Sequence, residues 1–315
     1  MIDFRFHLVS IVSVFLALAV GIVLGAGPLQ GSIGTQLTDQ VSQLRQEKDT
    51  LRTQLNDANT SVGSQNDYAA AVAGSALGGR LEGKGVALVV GNDTAGKFAA
   101  EIQQALTQAG ASVTTVLTLK DDYRDPATAT TRLTAAKKAA LRLGLAGADD
   151  ADTLVADVVS RVLVHAGGTN DAPLPDGAGA LGDLKGAGLL DYTQSTLRRA
   201  DEVVMLAGPV SGTAVSVKAE TATLLALASA LDSGSSGVVI ASGAPTTGVG
   251  QEVTTNLVTV VRQSKQVASV ISTVDHADST IGAGVVVLTV VREASGTSGH
   301  YGISSDAQAT VPPIS

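Results

Sequence analysis

The first hydrophobic segment of the chain is continuous. Residues 8–26 read LVSIVSVFLALAVGIVLGA, nineteen residues without a charged side chain. At about 1.5 Å of rise per helical residue, the segment comes close to crossing a roughly 30 Å hydrocarbon layer. Arg5 precedes it and no Lys or Arg follows until Arg45, so the positive-inside rule leaves the amino terminus in the cytoplasm. The pattern predicts a single-pass signal anchor over residues 1–27 in the cell membrane, with the bulk of the chain extracytoplasmic.

Two other interpretations of this segment stay open. Residues 24–27, LGAG, offer small side chains where a signal peptidase could cut. However, the apolar run exceeds the roughly 7–15 residues of a signal core, and Asp3 beside Arg5 makes a weak targeting signal. A buried helix of a soluble domain would normally carry a polar stripe, and none is visible over five turns.

A heptad repeat follows the apolar segment. Between about residues 34 and 65, apolar side chains recur at alternating spacings of three and four, which predicts a coiled-coil stalk over residues 28–80. An amphipathic helix packed on the chain's own domain is the alternative, although the stripe is as narrow as that of a coil. The core positions of the predicted seam are Leu37, Val41, Leu44, Lys48, Leu51, Leu55, Ala58 and Val62.

Lys48 is the one charged residue in this seam. A charge at a core position costs stability and usually fixes register or oligomer number. An acidic residue on a different partner helix would relieve that cost. The seam therefore predicts association, either with a second copy or with another envelope protein.

The pattern changes to alternating strands and helices beyond the glycines at 78, 79, 83 and 85. Such alternation predicts an α/β domain over residues 81–303 with a layered, mostly parallel sheet. Residues 125–188 interrupt the alternation as a helical insertion with a Gly-rich linker that contains Pro173 and Pro175. The predicted strands are 86–90, 112–119, 202–208 and 237–243, and the predicted helices are 94–109, 127–143, 151–165, 214–231 and 247–265.

Two segments near the carboxyl terminus are less regular. Residues 281–294 combine β-branched residues, which favour a strand, with a length of fourteen residues and an Arg-Glu ending, which favour a helix. We interpret this segment as a helix. Residues 304–315 have no apolar period and contain two adjacent prolines, which predicts a disordered tail.

Composition narrows the classes of function. The net charge is −8, and no cluster of Lys and Arg is present to displace counterions from phosphate, so nucleic-acid binding is not expected. Cysteine is absent, which excludes disulfides and thiolate metal ligands. The four histidines and two methionines do not fall at spacings that one helix or loop could use together. The sequence therefore predicts no metal site and no cofactor.

Three glycine-containing loops are candidates for ligand binding. The first, Gly91 to Lys97 with Gly96, follows a strand and has the spacing of a phosphate-binding loop. Phe98 follows where a magnesium-binding hydroxyl would be needed, so a capped strand-to-helix turn is the simpler interpretation. The other two loops, residues 208–213 with Gly208 and Ser211 and residues 241–248 with Gly243, follow later strands.

None of these loops carries a clear acid–base constellation. The loops at 208–213 and 241–248 contain no His, Asp or Glu, so binding is a better interpretation than catalysis. Residues 275–278, DHAD, form the one dense cluster of possible ligands. Their simpler interpretation is a solvated loop that caps the following helix.

The opening residues carry a family resemblance. Residues 1–30, MIDFRFHLVSIVSVFLALAVGIVLGAGPLQ, closely resemble the start of an actinobacterial membrane-protein family named for the mycobacterial copper transport protein MctB, which also includes SteB-like cell-separation proteins. The resemblance extends through the coil, VALVVG at 86–91, the GP and SGAP loops, and SGHYG at 298–302. It implies a channel-forming role in copper efflux across the mycobacterial outer membrane, with copper ion as cargo. For septal members it implies partnership with peptidoglycan-hydrolase control.

Three hypotheses follow for function. The first is a non-enzymatic envelope scaffold that recruits partners through its coil. The second is an oligomeric channel component for copper efflux. The third is an enzyme acting on an envelope substrate, with Lys97 and the DHAD cluster as its candidate chemistry.

Overall fold

The chain divides into two units. The structure is a computed structural model that describes residues 4–26, 28–165, 174–193, 197–244 and 253–313. The first unit covers residues 1–65 and the second covers residues 66–315.

The first unit is helical. Helix α1 spans Phe4–Ala26, and its side chains are exposed over the described part of the apolar segment. It is long and apolar enough to cross a membrane, which agrees with the predicted anchor. Helix α2 spans Pro28–Leu77 and contains the whole predicted seam. Because α2 runs on into the second unit, its last turns belong to the globular part of the chain.

The second unit is built on a seven-stranded sheet. Its strand order is β3-β2-β1-β4-β6-β8-β9, and every neighbouring pair is parallel except β2 and β3. A separate antiparallel pair, β5 and β7, lies outside this sheet. The strands are β1 Gly85–Val90, β2 Ser112–Leu119, β3 Leu190–Tyr192, β4 Glu202–Leu206, β5 Val210–Gly212, β6 Gly237–Ala241, β7 Val253–Thr255, β8 Ser272–Val274 and β9 His300–Tyr301.

Helices cover both faces of the sheet. Along each central strand the side chains alternate between two cores, so that Val203 and Met205 of β4 enter one and Val204 and Leu206 enter the other. The first core packs against α5, α6, α7 and α8, and the second packs against α3 and α11. The helices are α3 Asp93–Gln108, α4 Asp121–Arg124, α5 Ala129–Leu143, α6 Ala151–Leu163, α7 Gly177–Gly186, α8 Ala214–Gly234, α9 Leu257–Gln263, α10 Lys265–Ala268 and α11 Thr280–Glu293, with a 3-10 turn at Pro126–Thr128.

The mixed α/β architecture with a mostly parallel sheet confirms the fold class predicted from the alternating pattern. The ambiguous segment at 281–294 is a helix, α11, because it lies in one core along much of its length. Helix α8 is also long and apolar enough to cross a membrane. Its Leu224, Leu227 and Leu231 are buried in the first core, so α8 is a core helix of this domain.

Two element predictions need correction. The helix predicted over 247–265 is instead strand β7 followed by α9, because the β-branched residues Val253–Thr255 pair with β5 and Asn256 caps the helix. Residues 247–252 of that prediction lie outside the described residues. The Gly-rich linker contains helix α7, which is stabilised by burial of Ala180, Leu181 and Leu184. Pro173 also lies outside the described residues.

The carboxyl-terminal segment differs from the disordered tail that the sequence predicted. Residues 304–313 lie against the domain, where the Asp306 carboxylate pairs with Arg262 at 2.8 Å. Backbone hydrogen bonds join Gly302 to Ala309 and Gln308 to His300. The pair of Arg262 with Asp306 joins residues 44 apart in sequence, which is why composition alone suggested disorder.

The division between the units also falls before the glycine-rich joint where the sequence placed it. Leu77 at the end of α2 and Leu81 beyond it are buried in the second core. Their burial joins the end of α2 to the globular unit.

Candidate functional site

The topology of the sheet indicates where a ligand could bind. The chain runs from β1 outward through β2 to β3, then returns to build β4, β6, β8 and β9 on the other side of β1. The switch point therefore lies between β1 and β4. In open α/β sheets, ligands bind at the carboxyl ends of the strands near such a point.

Asn92 fills this switch point. Its Oδ1 accepts a hydrogen bond from Ala95 N at 2.9 Å and caps α3, while its Nδ2 donates to Pro209 O at 3.3 Å. The Asn92 side chain occupies the space that a Cβ would need at Gly208. Gly91 N donates to Leu206 O at 2.8 Å and closes the gap between the two strands. The crevice that often holds a ligand in this fold is therefore occupied by protein.

The loop from Gly91 to Lys97 is the capped turn and lacks the form of a phosphate cradle. Helix α3 begins at Asp93, so only Gly91 and Asn92 separate it from β1. Gly96 lies inside the helix, where a Cβ would be 3.8 Å from Val90 Cγ1. Lys97 is exposed on the same helix. Asp93 in the first turn adds a negative charge where a phosphate would need to approach.

An open cavity lies one strand further along the sheet. We call it the carboxyl-edge cleft, and its volume is about 140 Å³. It lies at the carboxyl ends of β4 and β6 and beside β7 and the start of α9. Its lining residues are Ala207, Pro209, Ser242, Gly243, Ala244, Thr254, Thr255, Asn256 and Thr259.

The predicted loop glycines meet this cleft in different ways. Gly243 lines it, and Gly208 lies between the lining residues Ala207 and Pro209. Ser211 lies on β5, and its hydroxyl is 2.8 Å from Thr254 Oγ1. Gly91, Gly96 and Lys97 are not among the lining residues. Residues 245–248 of the predicted loop lie outside the described residues.

Ser242 has an unusual environment in the cleft. It is 2% exposed, its backbone N donates to Val274 O at 2.9 Å, and its backbone O accepts from Ala277 N at 2.8 Å. Its hydroxyl has no hydrogen-bond partner within the described part of the chain. A buried hydroxyl without a partner is destabilising, so this position is unusual for a purely structural serine.

Asp278 contacts the loop that lines the cleft. Its Oδ1 accepts a hydrogen bond from Ala244 N at 3.1 Å. A Cβ at Gly243 would lie 3.0 Å from Asp278 Oδ2, so a larger residue there would require the Asp278 side chain to shift. Among the described lining residues there is no Asp, Glu, His, Lys or Arg. The cleft can therefore bind through hydrogen bonds, but it presents no general acid or base.

The DHAD segment is not the solvated loop that its sequence suggested. Asp275 is buried and pairs with Arg262 at 2.8 Å. Burial alone would raise the pKa of Asp275, but hydrogen bonds from His276 and Arg262 hold that pKa below its usual range. Ser279, just after the cluster, caps α11. The segment therefore has a structural role, although its polar sequence suggested exposure to solvent.

The described residues do not present a copper site. Among them, no group of three or more His, Cys, Asp or Glu side chains is placed to hold a metal ion. His300 is held by Thr273 Oγ1 and Ala268 O, and Met205 is fully buried in the sheet.

A larger cavity, of about 730 Å³, lies at the opposite edge of the domain. The sequence analysis did not identify it, because its residues come from α6, α8 and the segment before β4. Arg161 and Arg199 contribute cationic groups and His165 contributes an imidazole, while burial raises the pKa of Asp157 beside them. His165 Nε2 lies 3.7 Å from Asp201 Oδ1. The cavity presents groups of both charges and lies at the carboxyl ends of α6 and α8. Its lining therefore does not indicate one class of ligand.

The seam of α2 is exposed. The apolar side chains of Leu37, Leu44, Leu51, Leu55 and Val62 are between 55% and 64% accessible, and Val41 is 39% accessible. Lys48 and Ala58 are exposed as well. The described chain therefore leaves a long apolar stripe uncovered on this helix.

Comparison with known proteins covers almost the whole chain. A family model described as "Copper transport outer membrane protein, MctB" matches residues 1–312. The chain is 26% identical to the protein named copper transporter MctB of Mycobacterium bovis over 330 aligned residues, which cover 98% of each chain. It has the same identity and coverage with the copper transporter MctB proteins of two Mycobacterium tuberculosis strains.

Proposed function

The chain belongs to the MctB family of copper transport outer membrane proteins, and from this membership we propose that it serves copper homeostasis and the envelope as a membrane-anchored scaffold. In this proposal α1 anchors the chain with its amino terminus in the cytoplasm. The seam of α2 forms a coiled coil with a second copy or with an envelope partner of the kind that controls peptidoglycan hydrolases. The α/β domain lies outside the cell membrane and carries out no chemistry of its own.

The exposed seam of α2 is the observation that carries this proposal. Apolar side chains on a stripe of this spacing are buried when another helix covers them. Each leucine, if buried, contributes roughly 1.5–3 kcal/mol. The four leucines Leu37, Leu44, Leu51 and Leu55 are all exposed on α2. Their combined contribution outweighs the cost of one lysine at Lys48, whose stem can reach out to solvent.

The architecture of the domain favours a scaffold and argues against a pore formed by the domain itself. A pore through an outer membrane requires a closed barrel with a lipid-facing apolar band. The seven-stranded sheet here has helices on both faces and two different end strands, β3 and β9. The family is also a transporter-type family and not a known class of enzyme, and the described lining of the carboxyl-edge cleft lacks acid–base residues.

A cross-linking experiment tests the scaffold. The chain has no cysteine, so a single introduced cysteine reports directly on contacts of α2. We expect Ala58→Cys, in the seam, to form disulfide-linked dimers in membranes or a cross-link to one envelope protein. Thr53→Cys, on the opposite face of the helix, is the matched control and should remain uncross-linked.

Function is tested with the full chain carrying both Leu44→Asp and Leu51→Asp. We expect this variant to lose association and to fail in restoring cell separation to a strain without the gene. Protease treatment of spheroplasts should still digest the chain beyond Ala26, which shows that the variant is inserted. If detergent-solubilised wild type sediments as a monomer and recovers no partner that the double variant loses, the scaffold proposal is wrong.

An oligomeric copper channel is the second candidate, and the family description matched over residues 1–312 favours it. In that case the α1 helices would line the pore. Their polar side chains within the apolar segment are Ser10 and Ser13, and Ser13 Oγ already donates to Val9 O at 2.8 Å. Few groups are therefore available to replace the hydration shell of an ion. Copper-dependent flux in liposomes from the full chain, absent from protein lacking residues 8–26, would favour the channel over the scaffold.

A further inference from the structure

We propose that the carboxyl-edge cleft binds an uncharged, hydroxyl-bearing six-membered ring, that is, one neutral saccharide unit. This inference concerns a ligand of the α/β domain and is independent of association through α2. It assigns a binding role to the loops that contain Gly208 and Gly243.

The unpartnered hydroxyl of Ser242 is the first argument. Ser242 lines the cleft, and its hydroxyl is buried and lacks a hydrogen-bond partner in the described chain. The backbone groups of Ser242 are both occupied, by Val274 and Ala277. A ligand hydroxyl in the cleft could donate to Ser242 Oγ or accept from it, and would remove the cost of leaving it unpaired.

The chemistry of the lining is the second argument. Hydroxyl and amide side chains from Ser242, Thr254, Thr255, Asn256 and Thr259 surround the cleft. The described lining offers no cation to pair with a carboxylate or phosphate of a ligand, and a buried charge without a partner is strongly disfavoured. Asp278 behind Gly243 further disfavours an anion. The cleft therefore selects neutral ligands that hydrogen bond through hydroxyl groups.

The size of the cleft is the third argument. Its volume of about 140 Å³ is close to that of an engineered protein cavity of roughly 150 Å³ that holds benzene. The volume therefore matches the ring atoms of one six-membered ring, and the substituents of a sugar would extend out of the open side of the cleft. A benzene-like ligand is disfavoured because the lining is polar, whereas a ring that carries hydroxyls matches it.

The rigidity of the surroundings supports a preformed site. The antiparallel pair of β5 and β7 places Thr254 and Thr255 beside the cleft, and Asn256 is held by its hydrogen bond from Thr259 N at 2.8 Å. Ala244 is fixed by Asp278. A site whose polar groups are already held in place loses less entropy on binding.

Binding of radiolabelled neutral sugars tests the inference. The full chain is kept in a zwitterionic detergent without a sugar headgroup, and equilibrium dialysis is carried out with glucose and with N-acetylglucosamine. We expect saturable binding of at least one of the two with one site per chain. Glucuronate, which adds a carboxylate to the same ring, should bind at least tenfold more weakly.

Variants locate the site. Ser242→Ala, which removes only the hydroxyl, should weaken binding at least tenfold, and Ser242→Val should abolish it by filling the cleft. Ser229→Ala, an exposed serine on α8, should bind as the wild type does. Thr259→Val provides a second lining variant if Ser242→Ala lowers the melting temperature of the domain.

Two outcomes would overturn the inference. One is the absence of saturable binding of both neutral sugars to the wild type. The other is equal binding by the wild type and by folded Ser242 or Thr259 variants. Neither outcome changes the cross-linking result at Ala58, so failure of this inference can be distinguished from failure of the scaffold proposal.

Discussion

The carboxyl groups of Glu202, at the start of β4, and Glu293, at the end of α11, are both buried and interact with each other. Glu202 opens β4 and its strand partner on β6 is Gly237. The Glu293 side chain occupies the space beside Gly237 that a Cβ would need. Glu202 is 1% exposed and Glu293 is 5% exposed. Ser272 Oγ donates a hydrogen bond to Glu293, whereas both carboxyl oxygens of Glu202 lack a partner in the described chain.

The free energy of unfolding should fall as pH rises, because both carboxyl groups have raised pKa values in the folded domain. Burial raises the pKa of Glu202 to about 8, with Lys84 opposing the shift and Glu293 and Asp201 adding to it. Burial also raises the pKa of Glu293 to about 7, against the hydrogen bond from Ser272 and with a contribution from Asp232. Both groups are therefore neutral in the folded domain at acidic pH. Their contribution is complete below the unfolded value of 4.5 and is lost as pH rises through about 7 and 8.

Thermal unfolding of the full chain between pH 5 and pH 9 measures this effect. Since one pKa unit corresponds to about 1.4 kcal/mol, we expect the loss to reach a few kcal/mol. Glu202→Gln should flatten the profile, and Glu82→Gln, an exposed control, should leave it unchanged. A melting temperature that rises between pH 6 and pH 8 would contradict the prediction.

Arg262 should hold the carboxyl-terminal segment to the domain. Its side chain is 4% exposed and bonds Asp275, Asp306 and the Tyr301 carbonyl at 2.7–2.8 Å. Arg262→Met would leave the buried Asp275 carboxylate without its cation. We expect the free energy of unfolding to fall by about 3–5 kcal/mol, and limited proteolysis to cut within residues 304–313.

Asp306→Asn is the control for this prediction. Asp306 is the more exposed partner of Arg262, so its loss should cost about 0–1 kcal/mol. Resistance of the Arg262→Met protein to proteolysis, at wild-type rates, would show that the tail is held by other contacts.

Gly208 should tolerate a side chain only when Asn92 is shortened. A methyl group at Gly208 overlaps the Asn92 side chain. Gly208→Ala should therefore destabilise the domain by about 1–3 kcal/mol. Combining it with Asn92→Ser, which keeps a capping oxygen on a shorter side chain, should recover most of the loss. Denaturant unfolding of the two single variants and the double variant measures the coupling.

Gly96 provides the contrasting case. A Cβ there meets only Val90 Cγ1, at ordinary contact distance. Gly96→Ala in the first turns of α3 should thus stabilise the domain by about 0.5–1 kcal/mol. Destabilisation by Gly96→Ala, or additive effects at Gly208 and Asn92, would mean that the backbone at the switch point differs from the one described.

Lys48→Leu distinguishes the two partners proposed for α2. If α2 pairs with a second copy, removing the charge from the seam should strengthen self-association at least tenfold, as measured by sedimentation of the full chain in detergent. If α2 pairs with a different helix that offers an acidic residue, the same change should reduce recovery of that protein from membranes. Unchanged behaviour in both measurements would place Lys48 outside any helix interface.

The sequence alone determined the elements whose patterns are long and local. The uncharged run of residues 8–26 is α1 because any segment so apolar satisfies its backbone best as a helix. The strand at 112–119 was predicted to the residue, since β-branched residues favour extended backbone. The parallel sheet followed from the alternation of strands and helices. The helix prediction for residues 281–294 depended on length and on the Arg-Glu ending, and α11 confirmed it.

Only the tertiary structure decided what happens at the edges of the sheet. The sequence identified the loops at Gly208 and Gly243, but it could not show that Asn92 fills one crevice while the cleft beside Ser242 stays open. The pairing of β5 with β7, the burial of Asp275 and the docking of residues 304–313 likewise depend on partners up to 45 residues distant. The physical reason is that periodicity reports how one segment divides between apolar and polar surroundings. The environment of a single polar side chain is set by the elements that fold against it.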